Sequence, residues 1–189
     1  DGVYLSNLYK DKKLENYVFE LVVPIYGEVN KNLEDNSLQN LTFFNKEKNK
    51  SLIGLLHRIY SAKEFFSPAL ENIRFGETGH LMIIDGQGVV IDCPILPTGF
   101  QIQNQETVKA VTLPTAGWVR TFDNAHGSSE ESIMGFSPLA KINNLFEKTS
   151  GTHWHIFAWQ SSEEIFTPTR KLLFWNSSLS HLSAKKISQ

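Results

Sequence analysis

Cysteine is almost absent: Cys93 is the only one in 189 residues. A single thiol excludes an intramolecular disulfide and any multi-cysteine metal centre. With Pro94 directly after it and no base close in sequence, Cys93 reads as a buried, inert group and not as a nucleophile. Long apolar runs are missing as well. Nothing approaches the roughly 18 consecutive apolar residues that a membrane helix requires. No leader pattern is visible before Asp1-Gly2, so the chain is expected to be a fragment of a longer protein. Charge of one sign is also lacking, with 18 Lys and Arg against 20 Asp and Glu. That balance offers no concentrated basic face to nucleic acid. No G-x-S-x-G, phosphate-loop or H-E-x-x-H pattern occurs, and Gly76 and Gly79 lack the strand–turn–helix setting of a dinucleotide loop. The chain is therefore expected not to be an enzyme and to carry no cofactor. Apolar residues are plentiful at 41%, with 12% aromatics, enough for a folded core in one medium domain or two small ones.

The chain is organised around Phe75 to Pro94. His80 to Ile84 is a short apolar run too short for a helix and rich in branched residues. Asp85-Gly86-Gln87-Gly88 offers residues that tolerate positive φ, Val89 to Ile91 returns, and Pro94 ends the strand. Before this hairpin, Val3 to Ser6 and Tyr17 to Val23 read as strands, the second closed by Pro24. Residues 27 to 50 lose all periodicity and read as a solvated excursion. Leu52 to Leu56 resumes as a strand. Ser61-Ala-Lys-Glu64 is a capping box, followed by an apolar face of Phe65, Phe66, Ala69, Leu70 and Ile73. Pro68 either kinks that helix or restarts it on Ser67. After the hairpin come a short helix within Glu106 to Leu113 and strands at Trp118 to Phe122 and Ser132 to Phe136. A polar connection at Asn143-Asn144 and Ser150-Gly151 follows, and then a strand from Thr152 to Gln160. A second capping box, Ser161-Ser-Glu-Glu164, opens a last helix that contains Pro168 and carries Ile165, Phe166, Leu172, Leu173 and Trp175. Strands and helices in this order give an α+β class, with antiparallel sheets and helices beside them.

Two polar clusters could form a small-molecule site. Tyr4, Ser6, Tyr9 and Asp11 gather at one strand and its exit, where an aspartate beside aromatic rings can hold an ammonium. They can equally be exposed turn residues. Arg120, Asp123 and His126 flank a strand-to-turn corner, and an arginine is the natural bidentate partner of a carboxylate ligand. The plainer alternative pairs Arg120 with a surface carboxylate such as Asp123. His153 and His155 share a strand face and could hold a metal with His126 or Asp123. Hydrogen-bonding filler is the reading preferred for them, so no metal is expected. His57 and His80 read as satisfied core or surface residues.

The order Gly76-x-Thr78-Gly79-His80, Asp85, Gly88-x-Val90 and Pro94 resembles the hairpin of the Cache (extracellular PAS-like) sensor domains of bacterial receptors. Val3 to Asp11 and Phe19 to Tyr26 are similar to the strand pair of a double-Cache membrane-distal module. Ile53 to Leu56 resembles its last strand and Phe65 to Ile73 its linker helix. Trp154 to Gln160, Glu163-Glu164 and Pro168 match a closing strand and exit helix. The resemblance implies PAS-like antiparallel sheets with flanking helices. It divides the chain into a partial distal module (1–60), a linker helix (61–75), a complete proximal module with exit helix (76–175) and a flexible tail (176–189). It further implies an extracytoplasmic, periplasmic ligand-sensing domain of an inner-membrane receptor, whether histidine kinase, chemoreceptor or diguanylate cyclase. Such a domain is a homodimer, joined to the membrane by spans outside this chain, and takes an amino acid, amine or carboxylate as ligand. In relatives that bind amines or amino acids, Asp11 occupies the ligand-holding position. The competing expectation is a spacer or protein-interaction module with no small-molecule ligand.

Overall fold

The computed structural model describes residues 2–28, 50–123, 125–127, 129–146 and 153–172. The expected polar excursion falls almost wholly outside these residues. So do Ser150-Gly151, Leu173, Trp175 and the tail. The described elements are β1 (Tyr4–Leu5), β2 (Tyr9–Asp11), β3 (Asn16–Glu28), β4 (Lys50–Ser61), α1 (Ala62–Leu70), β5 (Arg74–Phe75), β6 (Gly79–Asp85) and β7 (Val90–Asp92). They continue with α2 (Gln105–Val111), β8 (Gly117–Thr121), β9 (Ser132–Pro138), α3 (Ala140–Phe146) and β10 (Trp154–Ser161), and then α4 (162–172). The strands form two antiparallel sheets. In the first, β3 is central, with β1 and β2 end to end along one edge and β4 along the other. The second runs β5-β6-β10-β9-β8, with β7 also on β6. This is the α+β, PAS-like arrangement that the motifs imply.

Pro24 does not close its strand, contrary to the sequence expectation. β3 continues through it to Glu28, paired with β4 down to Lys50. The last β1 partner on β3 is Val22, opposite Tyr4. Pro24 therefore lies beyond β1, where one side of β3 is an open edge and a missing donor costs no ladder bond.

The second sheet is covered on both faces. Met82, Ile84, Met134, Phe136, Phe157 and Trp159 pack with Val108 and Val111 of α2. The other face presents Ile83 and Trp154 to Leu5 and Phe19 of the first sheet and to Phe66 and Leu70 of α1. Phe19 and Trp154 meet edge to face at 5.4 Å, and Phe19 also touches Phe66 at 5.9 Å. Two-sided burial explains why β6 reads as an unbroken apolar run instead of an alternation. At the end of that run the Asp85 carboxylate accepts from the amides of Gln87 and Val89, both at 2.9 Å, and Gly88 takes φ 84°. The tight turn is thus built by a side chain and a glycine, as the residues suggested.

Helix α1 starts where the capping box places it, with Ser61 Oγ accepting from the Glu64 amide at 3.4 Å. Pro68 does not restart it. The helix is continuous from Ala62 to Leu70, and Ser67 donates its hydroxyl to buried Asp92 on β7 at 3.0 Å. Helix α3 departs from the sequence expectation, in which Asn143-Asn144 flanks a polar connection. Asn143 is in fact buried, donating to the Trp154 carbonyl at 2.8 Å and accepting from the Trp154 amide at 2.7 Å. Its amide group acts as a one-residue strand against the start of β10. Asn143→Ala is expected to cost about 2 kcal/mol, the loss of two buried hydrogen bonds, read as a lower midpoint in urea or thermal melts. An unchanged midpoint would contradict this role.

Candidate functional site

The Gly76-x-Thr78-Gly79-His80 stretch is the turn into β6, and α4 is anchored on it. Ser161 precedes the helix and Glu164 lies at its third position, the arrangement of a capping box. Glu164 does not reach the Ser161 amide directly. The Ser161 amide donates to Thr78 Oγ1 at 3.2 Å, and that hydroxyl donates to Glu164 Oε2. The carboxylate also accepts from the Thr78 amide at 3.0 Å and the Glu77 amide at 2.5 Å. Thr78 is therefore inserted into the cap. Gly76 has φ 64°, and a Cβ there would lie 1.7 Å from Glu164 Oε1, so both backbone conformation and space call for glycine. These donors hold the Glu164 carboxyl down at about 2, the Thr78 hydroxyl contributing most. A second attachment comes from the Ser162 amide, which donates to the Glu131 carbonyl at 2.9 Å.

Arg120 belongs to this junction and not to a ligand corner. Its guanidinium pairs with Glu131 at 2.6 Å and lies 6.0 Å from the Phe166 ring of α4. The partner is thus Glu131 and not the Asp123 suggested by sequence proximity. The pairing lowers the Glu131 carboxyl below its usual range. Asp123 faces elsewhere: it accepts from Thr107 Oγ1 at 2.8 Å and from the Ala125 amide at 3.1 Å. It lines a cavity of about 190 Å³ with Phe100, Ile102, Asn104 and Phe122.

The four residues of the first sheet divide. Tyr4 is exposed on β1. Asp11 closes a turn, its Oδ1 accepting from the amides of Lys13 at 2.7 Å and Leu14 at 2.9 Å, which lowers its pKa. Ser6 and Tyr9 converge on a residue that the sequence did not single out, Glu20. The Glu20 amide donates to Ser6 Oγ at 2.8 Å, Tyr9 donates its hydroxyl to Glu20 Oε1, and His57 Nε2 lies 3.0 Å from Oε2. The bond to Glu20 pushes the Tyr9 hydroxyl up to about 12. Glu20 sits mid-strand between apolar residues, and only the pairing of β2, β3 and β4 brings its partners to it.

His126 clusters with His80 and Cys93 and not with His153 or His155. It sits between Ala125 (φ 59°) and Gly127 (φ 91°), and its Nε2 lies 3.1 Å from His80 Nε2 and 3.7 Å from Cys93 Sγ. The Trp159 ring lies 5.5 Å from each imidazole, tilted against His80 and edge to face with His126. His80 is fully buried, its Nδ1 is 3.0 Å from the Thr78 carbonyl, and burial lowers its pKa. Among the described residues, His153 and His155 form no such cluster with His126 or Asp123. His153 is exposed, and His155 is buried in the sheet core opposite Ile84.

No family model matches the sequence, and no curated protein matches it. Solved structures do. The extracellular domain of mmHK1S-Z3, assigned as a histidine kinase, superposes with a TM-score of 0.55 at 13% identity, over 90% of this chain and 53% of that one. The ligand-binding domain of Mlp24, solved with asparagine, gives 0.52 at 14% identity over 88% and 53%. The ligand-binding domain of the Pseudomonas aeruginosa amino acid chemoreceptor PctB, solved with L-Arg, gives 0.50 at 14% identity over 87% and 56%. The fold is that of extracellular receptor domains. The chain spans about half the length of each of these domains, and at such identities the likeness is one of fold.

Glu164→Gln is expected to loosen α4 and lower the melting temperature at neutral pH. Because the folded carboxyl titrates near 2 against an ordinary 4.5, its contribution is complete above the ordinary value and fades as pH falls through the folded one. Thermal melts of wild type and variant should therefore converge towards about pH 2. A constant gap across that range would count against the ionised clamp.

Proposed function

We propose that this chain is the extracytoplasmic ligand-sensing part of a transmembrane signalling receptor, with α4 as the element that passes the signal on. The observation that supports it most is the fold shared over 90% of the chain with an extracellular domain assigned to a histidine kinase. The helix junction supports the direction of output. The start of α4 is held by Thr78, Glu77 and the Glu131 carbonyl, so a shift of the β5–β6 turn against β9 changes the position of the helix. A ligand drives such a change only by binding one arrangement more tightly than the other. None of the described helices is long and apolar enough to cross a membrane. The spans, the output module and the dimer contacts of the receptor belong to flanking chain.

For the ligand we favour a small amine or amino acid at the cavity beside Asp123. Its walls combine the rings of Phe100 and Phe122 with a carboxylate that keeps lone pairs beyond its two internal bonds, a setting suited to an ammonium. The domains of PctB and Mlp24 were solved with L-Arg and asparagine, which supports the same ligand class. The Tyr9–Glu20–His57 cluster is the second place where such a ligand could be held.

A thermal-shift screen with amino acids, amines and small carboxylates tests the proposal. A true ligand at a hundred times its dissociation constant stabilises by about 2.7 kcal/mol. The expected hit is lost in Asp123→Ala and kept in Asp11→Ala, since Asp11 serves a turn. A hit lost only in Tyr9→Phe moves the site to the first sheet. A flat screen on well-folded protein overturns the sensor assignment.

A further inference from the structure

Three potential metal ligands from three separate segments converge in the second sheet. His80 comes from β6, Cys93 from just after β7 and His126 from the loop between β8 and β9. His80 Nε2 and His126 Nε2 are 3.1 Å apart, and Cys93 Sγ lies 4.0 Å and 3.7 Å from them. A zinc-class ion about 2.0–2.1 Å from each nitrogen and about 2.3 Å from sulfur spreads tetrahedral donors about 3.3–3.6 Å apart. The three atoms thus stand within a few tenths of an ångström of that spacing. We propose that His80, Cys93 and His126 form a mononuclear site for a borderline-soft transition-metal ion of the zinc and copper class, with a fourth position open to an outside ligand.

The surroundings are those of a metal site. His80 Nδ1 is 3.0 Å from the Thr78 carbonyl. Donation of the Nδ1 proton to that oxygen leaves the Nε2 lone pair turned to the cluster, the outer contact that orients metal-binding imidazoles. Cys93 Sγ accepts from the amides of Ile95 at 3.4 Å and Leu96 at 3.3 Å, two donors that stabilise a thiolate. When the ion binds, the sulfur–metal bond replaces the S–H bond and the thiol proton leaves to solvent. Two imidazoles and one thiolate select zinc or copper over magnesium or calcium, which take oxygen. Three protein ligands among the described residues, instead of four, are the number found where zinc keeps a position for water or substrate.

The site is also wired to the helix. Thr78 offers its carbonyl to His80 and its hydroxyl to Glu164 and Ser161, so one residue touches both the metal-binding imidazole and the cap of α4. Metal binding stands on the cluster geometry alone. The link to α4 rests in addition on the sensor assignment, and the two are tested by different readouts.

The test uses the reduced chain as it stands, free of metal, titrated anaerobically with Co²⁺, Zn²⁺ and Cu⁺. One equivalent of Co²⁺ should give a thiolate-to-cobalt charge-transfer band and the intense visible bands of a tetrahedral centre, and Zn²⁺ should displace it. Cys93→Ser should abolish the charge-transfer band. His126→Ala, on a loop, should weaken Zn²⁺ binding at least about tenfold, with cooperative melting retained in the absence of metal. His153→Ala should bind as wild type does. No charge-transfer band with wild type, or binding untouched by both Cys93→Ser and His126→Ala, overturns the site. Hydrogen exchange reads the coupling separately: protection of 162–172 on metal binding supports it, and its absence with metal bound removes the link to α4 only.

Discussion

Everything distinctive about this chain follows from burying one sheet on both faces. The β6 strand has the first sheet and α1 on one side and α2 with its loops on the other, so every residue from His80 to Asp85 except Leu81 is buried. A sheet in that position cannot leave polar groups to water, and an unpaired one costs more than a bond returns. Several of the polar residues that remain are used in pairs, although His155 Nδ1 and Trp159 Nε1 have no hydrogen-bond partner among the described residues. Ser67 meets Asp92, Asn143 meets the Trp154 backbone, and His80 meets His126 and the Thr78 carbonyl. Burial raises the Asp92 and Cys93 pKa values and lowers that of His80. In each case burial disfavours the charged form.

Helix α4 is tied to this sheet by bonds that do not depend on apolar packing. Thr78 occupies the middle of an interrupted capping box, and Arg120 with Glu131 braces the opposite side beside Phe166. Bonds of this kind have two arrangements, made or broken, while a packed core deforms only in steps. In the proposed sensor role, a small shift in the turn before β6 becomes a different pose of α4, and the His80 contact places that turn next to the histidine and cysteine cluster.

The first sheet contributes differently. Its β4 strand carries Ile53, Leu55 and Leu56 in exposed positions, and its polar centre is the Glu20 cluster. Its firm attachment to the rest is aromatic, Phe19 against Trp154 and Phe66, which fixes the relation of the two sheets through the same face that buries β6.

Local signals were legible in the residues alone. The Asp85–Gly88 turn, the Ser61 cap and the strands at Trp118, Ser132 and Trp154 depend on neighbours within a few positions, and they stand where the residues place them. The loose order of Gly76, Thr78, Gly79, Asp85 and Pro94 was enough to point to the fold. Errors arose where the deciding partner is remote. Pro24 stays in its strand because the pairing with β1 ends opposite Val22. Helix α3 was hidden because Asn143 is satisfied by Trp154, eleven residues away. Arg120 found Glu131 through the β8–β9 pairing, and Glu164 found Thr78 across 86 residues of chain. His80, Cys93 and His126 read separately in the sequence, as a satisfied core or surface residue, an inert thiol and part of a ligand corner with Arg120, since nothing in their spacing joins them. Sequence by itself determined the elements and their order, because turns, caps and periodicity are set by short-range sterics and hydrogen bonds. Only the tertiary structure decided which polar groups share a site, because that depends on strand register and on the burial that forces them together.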